Sequence, residues 1–205
     1  TSAGILFDVD TALRPDGASG MLVSSVAAFE RYQNSAAWVW EHQALTRARF
    51  CAGDAAIGAR FEAIREQVLR KDRSGAADPL RSEVLKMRAK MHDANPSRDD
   101  AFDLKQDAGG MIDIEFMVQY LVLRHACQYP QLTTNSGNIA LLKLCGELRL
   151  IDPGLALAVG DAYRAMRKLQ HQVRLQGQDN ARVEPALVAV HAANVVRLWQ
   201  AIFAH

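Results

Sequence analysis

The sequence predicts a mainly α protein: a helical bundle with a fragment of sheet at its N-terminal edge. Three observations carry this. Apolar residues recur at helical spacing through most of the 205 residues. Asp78-Pro79 and Asp152-Pro153 each pair a capping side chain with a proline suited to the first helical position, and Glu184-Pro185 is a further start signal. β-Rich sequence is confined to the first two dozen residues.

In chain order, Gly4 to Asp10 (GILFDVD) alternates loosely and reads as a short strand, closed by an Arg14-Pro15-Asp16-Gly17 turn. Met21-Leu22-Val23 has the composition of a second short strand. Ala27 to Phe50 reads as helix with a break near Asn34-Ser35, and Ala59 to Lys71 as the next. Asp78-Pro79 opens a helix whose expected apolar face is Leu80, Val84, Met87 and Met91. Asn95 to Asp100 is a polar break. Phe102 to Gly110 (FDLKQDAGG) is too short and glycine-rich for a helix and feeds one over Met111 to Ala126. Asn138 to Leu148 follows. A long helix from Asp152-Pro153 carries Leu155, Val159, Ala162, Tyr163, Met166 and Val173 at helical spacing, and Glu184-Pro185 opens the last, to about Phe203.

An apolar content of 49% with a net charge of +1 describes a globular protein and gives no support to bulk nucleic-acid or anionic-membrane binding. Any cationic site must be local. Cys51, Cys127 and Cys145 lack CxxC spacing, so a disulfide framework or zinc site is not expected, and a reducing cytoplasm is the natural compartment. No apolar run reaches membrane-spanning length. The opening Thr-Ser, without Met, suggests a piece of a longer chain. Walker A, HExxH, GxSxG and GxGxxG motifs are absent.

Three stretches could carry chemistry. Asp8 and Asp10 share a strand face, so they could hold Mg²⁺ or be two solvated acids at a strand end. Within AWVWEHQALTRAR (37–49), Trp38 and Trp40 lie beside Glu41, His42, Arg47 and Arg49. These could form an aromatic and cationic wall for a nucleotide. The pattern alone favours a core helix with its tryptophans packed inward and its arginines solvated. His42 reads as a satisfied histidine, and 171–176 (HQVRLQ) as a structural helix face. In DLKQDAGGMIDIEF (103–116), Gly109-Gly110 permits close backbone approach or an unusual turn, and the free N–H groups of the following helix form a possible anion site. Asp113 and Glu115 diverge by roughly 200° on a helix, so a shared metal site is not expected, whereas one buried acid or an arginine partner is.

Together and in this order, FDVDTALRPDGASGMLV, AWVWEHQALTRARFCAGD and FDLKQDAGGMIDIEFMVQYLVLRHA resemble the glutamate–ammonia-ligase adenylyltransferases, which modify glutamine synthetase. The GG-x-x-D-I segment also resembles the related PII uridylyltransferases. The wording of the tryptophan stretch and the ending Leu198-Trp199-Gln200 are closer to the C-terminal, adenylylating half of the former. The resemblance implies the last strands of a polymerase-β-like nucleotidyltransferase domain over 1–25, a helical domain over 26–205, and AMP transfer from ATP with Mg²⁺. Implied partners are glutamine synthetase and the PII signalling protein. Asp10 matches the family's third metal-binding carboxylate, with Asp8 beside it. The first two, on a G-S…D-x-D segment, are not among these residues, so the piece is expected to be inactive alone. A further possibility is that the helical part serves chiefly to bind PII or glutamine synthetase. Arg14, Arg47, Arg49 and Lys105 are candidates for triphosphate or acidic-partner contacts, and Asp107 and Asp113 for the wall between the domains. Ala12 stands where the family has an arginine, and Thr134 to Ala140 departs from the family's T-R-W-x-D-N-I-R.

Overall fold

The computed structural model describes residues 11, 14, 17–73, 75, 78–95, 100–134, 137–178 and 180–204. The expected strand over Gly4 to Asp10, and Asp8 and Asp10 themselves, lie outside the described residues. Eight α-helices are described: α1 (Val26–Ser35), α2 (Val39–Leu45), α3 (Ala55–Leu69), α4 (Pro79–Ala94), α5 (Met111–His125), α6 (Asn138–Glu147), α7 (Pro153–Leu175) and α8 (Ala189–Phe203). The sheet among the described residues is a two-residue antiparallel ladder, β1 (Phe102–Asp103) on β2 (Arg182–Val183), pairing Phe102 with Val183 and Asp103 with Arg182. No described helix is long and apolar enough to cross a membrane.

The starts form as their sequences dictate. Asp78 accepts from the Arg81 N–H and Asp152 from the Leu155 N–H, each followed by proline at the first helical position. Asp54 caps α3 through the N–H groups of Ala56 and Ile57. Gly17, at φ +54°, closes the expected turn by donating to the Arg14 carbonyl at 2.8 Å.

α5 is the axis of the bundle. Ten of its fifteen residues are buried, among them Ile114, Met117, Leu121 and Leu123. It packs on α2, α4, α6, α7 and α8, as a helix apolar on most sides must. Each such side chain contributes about 1.5–3 kcal/mol by leaving water. α6 and α7 form a hairpin close enough that Gly146 faces the Ala156 methyl and Pro153.

Four expectations are corrected. Met21, Leu22 and Val23 form no strand; the chain bends at Leu22, and the three are 82, 68 and 77% exposed, without a neighbouring strand to pair with among the described residues. Ala27 to Phe50 breaks just past Ser35, close to the expected point, but α2 stops at Leu45, short of Phe50. Glu184-Pro185 opens a single 3-10 turn (Pro185–Leu187), and α8 begins only at Ala189. On α4 the buried stripe is Leu80, Val84 and Arg88, whereas Met87 and Met91 are half-buried. A charged side chain takes the third position because a carboxylate waits for it inside.

Candidate functional site

α2 carries the residues of interest, and buried polar bonds fix both its ends. At its start the Glu41 carboxylate accepts the Trp38 N–H at 2.9 Å and the Tyr32 hydroxyl at 3.0 and 2.9 Å, tying α1 to α2. At its end Arg65 of α3, 4% exposed, donates to the carbonyls of Leu45 (3.0 Å), Thr46 (2.8 Å) and Thr133 (2.9 Å). The first two are carbonyls at the C-terminus of α2, which have no partner within the helix, and one guanidinium serves both. Gln43, also buried, donates to Gln119 of α5 at 3.1 Å.

These anchors turn Glu41, Gln43 and Leu45 inward and the tryptophans outward. Trp38 is 66% and Trp40 36% exposed, so the expectation of inward-packed tryptophans is corrected: hydrogen-bonded Glu41 and Gln43 occupy the buried face of this seven-residue helix. His42 is structural, as expected. Its Nε2 sits 3.0 Å from the Gln33 carbonyl and its Nδ1 3.5 Å from Arg73. Burial is the main cause of its lowered pKa, and the charges of Arg73 and Lys71 add to it.

A groove of about 320 Å³ opens between α1, α2, α3 and the Arg14 turn. Phe29 and Phe61, with ring centroids 5.6 Å apart, lie along it, and Trp40, Arg47 and Arg14 line it. Arg14 is braced by its own loop, donating from Nε to the Gly20 carbonyl at 3.2 Å and from Nη1 to that of Thr11. Arg47, just past α2, pairs through Nη1 with Glu115 of α5 at 3.2 Å, and the Tyr163 hydroxyl of α7 donates to the same carboxylate oxygen at 2.9 Å. The structure thus brings together two arginines and a tryptophan that stand 33 residues apart at their extremes. Two guanidiniums beside an indole suit a planar, anionic ligand.

The other expected residues lie elsewhere. Arg49 lines a different hollow, with Glu62, Arg70 and Thr134. Lys105 is exposed on the turn after β1. Asp107 accepts the Asp103 N–H at 2.8 Å and so holds that turn. Asp113 is buried against Arg88, whose Nε donates to it at 2.5 Å, and it also accepts the Gly109 N–H at 2.7 Å. The expected buried acid with an arginine partner is therefore Asp113. No anion site forms at the start of α5. The N–H groups of Gly110, Met111 and Ile112 donate to the carbonyls of Asp107, Leu104 and Lys105. The two glycines serve packing: Gly109 has φ +85°, and a Cβ there would lie 2.8 Å from the Ala192 carbonyl of α8.

No three His, Cys, Asp or Glu residues among those described are placed to hold a metal. The carboxylates nearest the groove are already engaged, Glu41 by Tyr32 and the Trp38 N–H and Glu115 by Arg47 and Tyr163. The described residues therefore do not fit a magnesium site. Sequence reasoning missed Arg65, Arg88 and Tyr163. The Trp38–Glu41 spacing, with an acid three residues past a helix start, could have revealed the inward turn of Glu41.

The glutamate-ammonia ligase adenylyltransferase model matches residues 1–64, and the GlnD PII-uridylyltransferase model matches 84–184. Both describe nucleotidyltransferases. Proteins called bifunctional glutamine synthetase adenylyltransferase/adenylyl-removing enzyme are similar along nearly the whole chain. That of Bordetella bronchiseptica is 55% identical over 202 residues (98% of this chain, 21% of the relative). That of Aromatoleum aromaticum is 57% identical over 203 residues (99% and 21%), and that of Ralstonia nicotianae 56% over 207 (99% and 22%). The chain is thus a relative, over nearly all its residues, of the glutamate-ammonia ligase adenylyltransferases, and it spans about a fifth of the length of the curated relatives it matches.

Proposed function

We propose that this chain is part of an enzyme that transfers AMP from ATP to a tyrosine of glutamine synthetase. The observation that carries the reading is identity of 55–57% along nearly the whole chain to proteins called by that activity. On this reading residues 1–25 end a polymerase-β-like nucleotidyltransferase domain, 26–205 form the helical domain, and the two belong to the adenylylating C-terminal half. The tyrosine hydroxyl attacks the α-phosphorus of ATP in line and pyrophosphate leaves, so positioning and charge neutralisation are the protein's main tasks. Arg14 and Arg47 neutralise the triphosphate from the groove wall, with Arg49 and Lys105 as outlying cations, and Trp40 offers an aromatic face. Asp10, with Asp8 beside it, is the proposed holder of Mg²⁺. Asp107 and Asp113 stiffen the turn proposed to face the catalytic domain. The setting is the cytoplasm, and the PII protein is the proposed regulatory partner.

Titration of the full-length protein with Mg-ATP tests the site. Asp10→Asn is expected to weaken binding, and wild-type affinity in that variant would remove Asp10 from it. The PII-uridylyltransferase match over 84–184 favours a second reading, in which the helical part is a binding module for PII or glutamine synthetase, or the protein acts on PII itself. Capture of glutamine synthetase that survives Asp10→Asn supports the module, and UMP transfer to PII supports the relative.

A further inference from the structure

Arg47 needs support that its own helix does not give. It lies beyond the last residue of α2, and its side chain is 52% exposed. A long cation in that position samples many rotamers, and ordering it on each binding event costs entropy. The structure supplies a brace from two other helices. Glu115, on the face of α5 turned away from Asp113, sets Oε1 3.2 Å from Arg47 Nη1. The same oxygen accepts the Tyr163 hydroxyl at 2.9 Å, and Tyr163 is 8% exposed within α7. A buried side chain on the longest helix thus fixes a half-buried carboxylate on the central helix, which fixes the groove arginine. The contact uses Nη1, so the remaining guanidinium donors stay available to the groove. We propose that Glu115 and Tyr163 are positioning residues that hold Arg47 ready for the triphosphate of Mg-ATP. This rests on the reading that Arg47 meets that triphosphate.

Burial and the Glu115 charge both raise the Tyr163 pKa, so the phenol keeps its proton and remains a donor. Stability is a poor explanation for the brace, because an ion pair this exposed is screened and contributes little to folding. Its consequence lies in orientation, as with groups that aim a metal ligand without touching the metal.

The test uses the full-length enzyme, with Mg-ATP affinity measured by calorimetry alongside KM and kcat for AMP transfer to glutamine synthetase. Glu115→Gln keeps an acceptor for Tyr163 and removes the charge. It is expected to raise Kd and KM for ATP on the order of tenfold, with kcat within about twofold. Tyr163→Phe gives a smaller rise, Glu115→Asp partial recovery, and Glu115→Gln adds nothing once Arg47→Ala is present. Wild-type Kd in Glu115→Gln, or a full additional loss on the Arg47→Ala background, overturns the proposal. So does unchanged Mg-ATP affinity in Arg47→Ala. Wild-type protein that binds Mg-ATP and shows the brace effects, yet transfers no AMP, overturns the adenylyltransferase reading and leaves the brace standing. Wild-type protein that does not bind Mg-ATP overturns the brace.

Discussion

Arg88 of α4 and Asp113 of α5 form an ion pair at 2.5 Å with both side chains 8% exposed. Arg88 also donates to the Gln106 carbonyl at 2.8 Å, and Asp113 accepts the Gly109 N–H. One pair therefore locks two helices and the turn between β1 and α5. Removing one partner strands a buried charge, so Asp113→Ala is expected to cost about 3–5 kcal/mol in urea unfolding. The Arg88→Met/Asp113→Ala double variant should lose less than the sum of the singles.

Gly109 pairs a left-handed backbone with close contact to α8. Gly109→Ala pays about 1–2 kcal/mol for its backbone conformation alone, before the contact with the Ala192 carbonyl. Thermal unfolding should show a loss larger than that. A wild-type melting point would mean the turn does not rest on α8.

Arg65 reaches the end of α2 and Thr133 through carbonyls and lies 3.7 Å from Glu62 of its own helix, and burial is the main cause of its lowered pKa. Hydrogen bonds to a charged donor are worth about 1.5–3 kcal/mol each. Arg65→Lys keeps the charge but cannot reproduce the fork, so it should destabilise the chain and raise amide exchange at the end of α2. Unchanged exchange there would remove Arg65 as the cap of that helix.

His42 and His125 have lowered pKa values, in both cases chiefly from burial. The unfolded chain therefore binds protons at a higher pH than the folded one. The stability these neutral imidazoles contribute is complete above the ordinary value near 6.5 and is lost as the pH falls through the depressed folded pKa. Urea midpoints at about pH 7.5 and about pH 5.5 should differ more in wild type than in His42→Gln/His125→Gln. An equal difference would assign the acid sensitivity to other groups.

What the sequence revealed follows the range of each interaction. The Asp-Pro starts, the long α7 and the polar turn into α5 are local patterns, and they appear where expected. The face of α2 is not legible in the sequence because hydrophobicity alone turns tryptophans inward, whereas Glu41 and Gln43 find buried partners on α1 and α5. Arg65 is legible only in three dimensions, since one of its acceptors lies 68 residues away. The β1–β2 ladder likewise joins segments nearly eighty residues apart, each too short to carry a strand pattern. Arg47 is legible as part of a cationic wall in its own stretch and Arg14 only through resemblance, and the groove gives them a shared setting.

The most direct measurement incubates the full-length protein with glutamine synthetase, Mg²⁺ and ATP, and in parallel with PII and UTP, reading covalent nucleotide on each target by mass spectrometry. The account predicts AMP on a tyrosine of glutamine synthetase and no UMP on PII. UMP on PII with unmodified glutamine synthetase would contradict it.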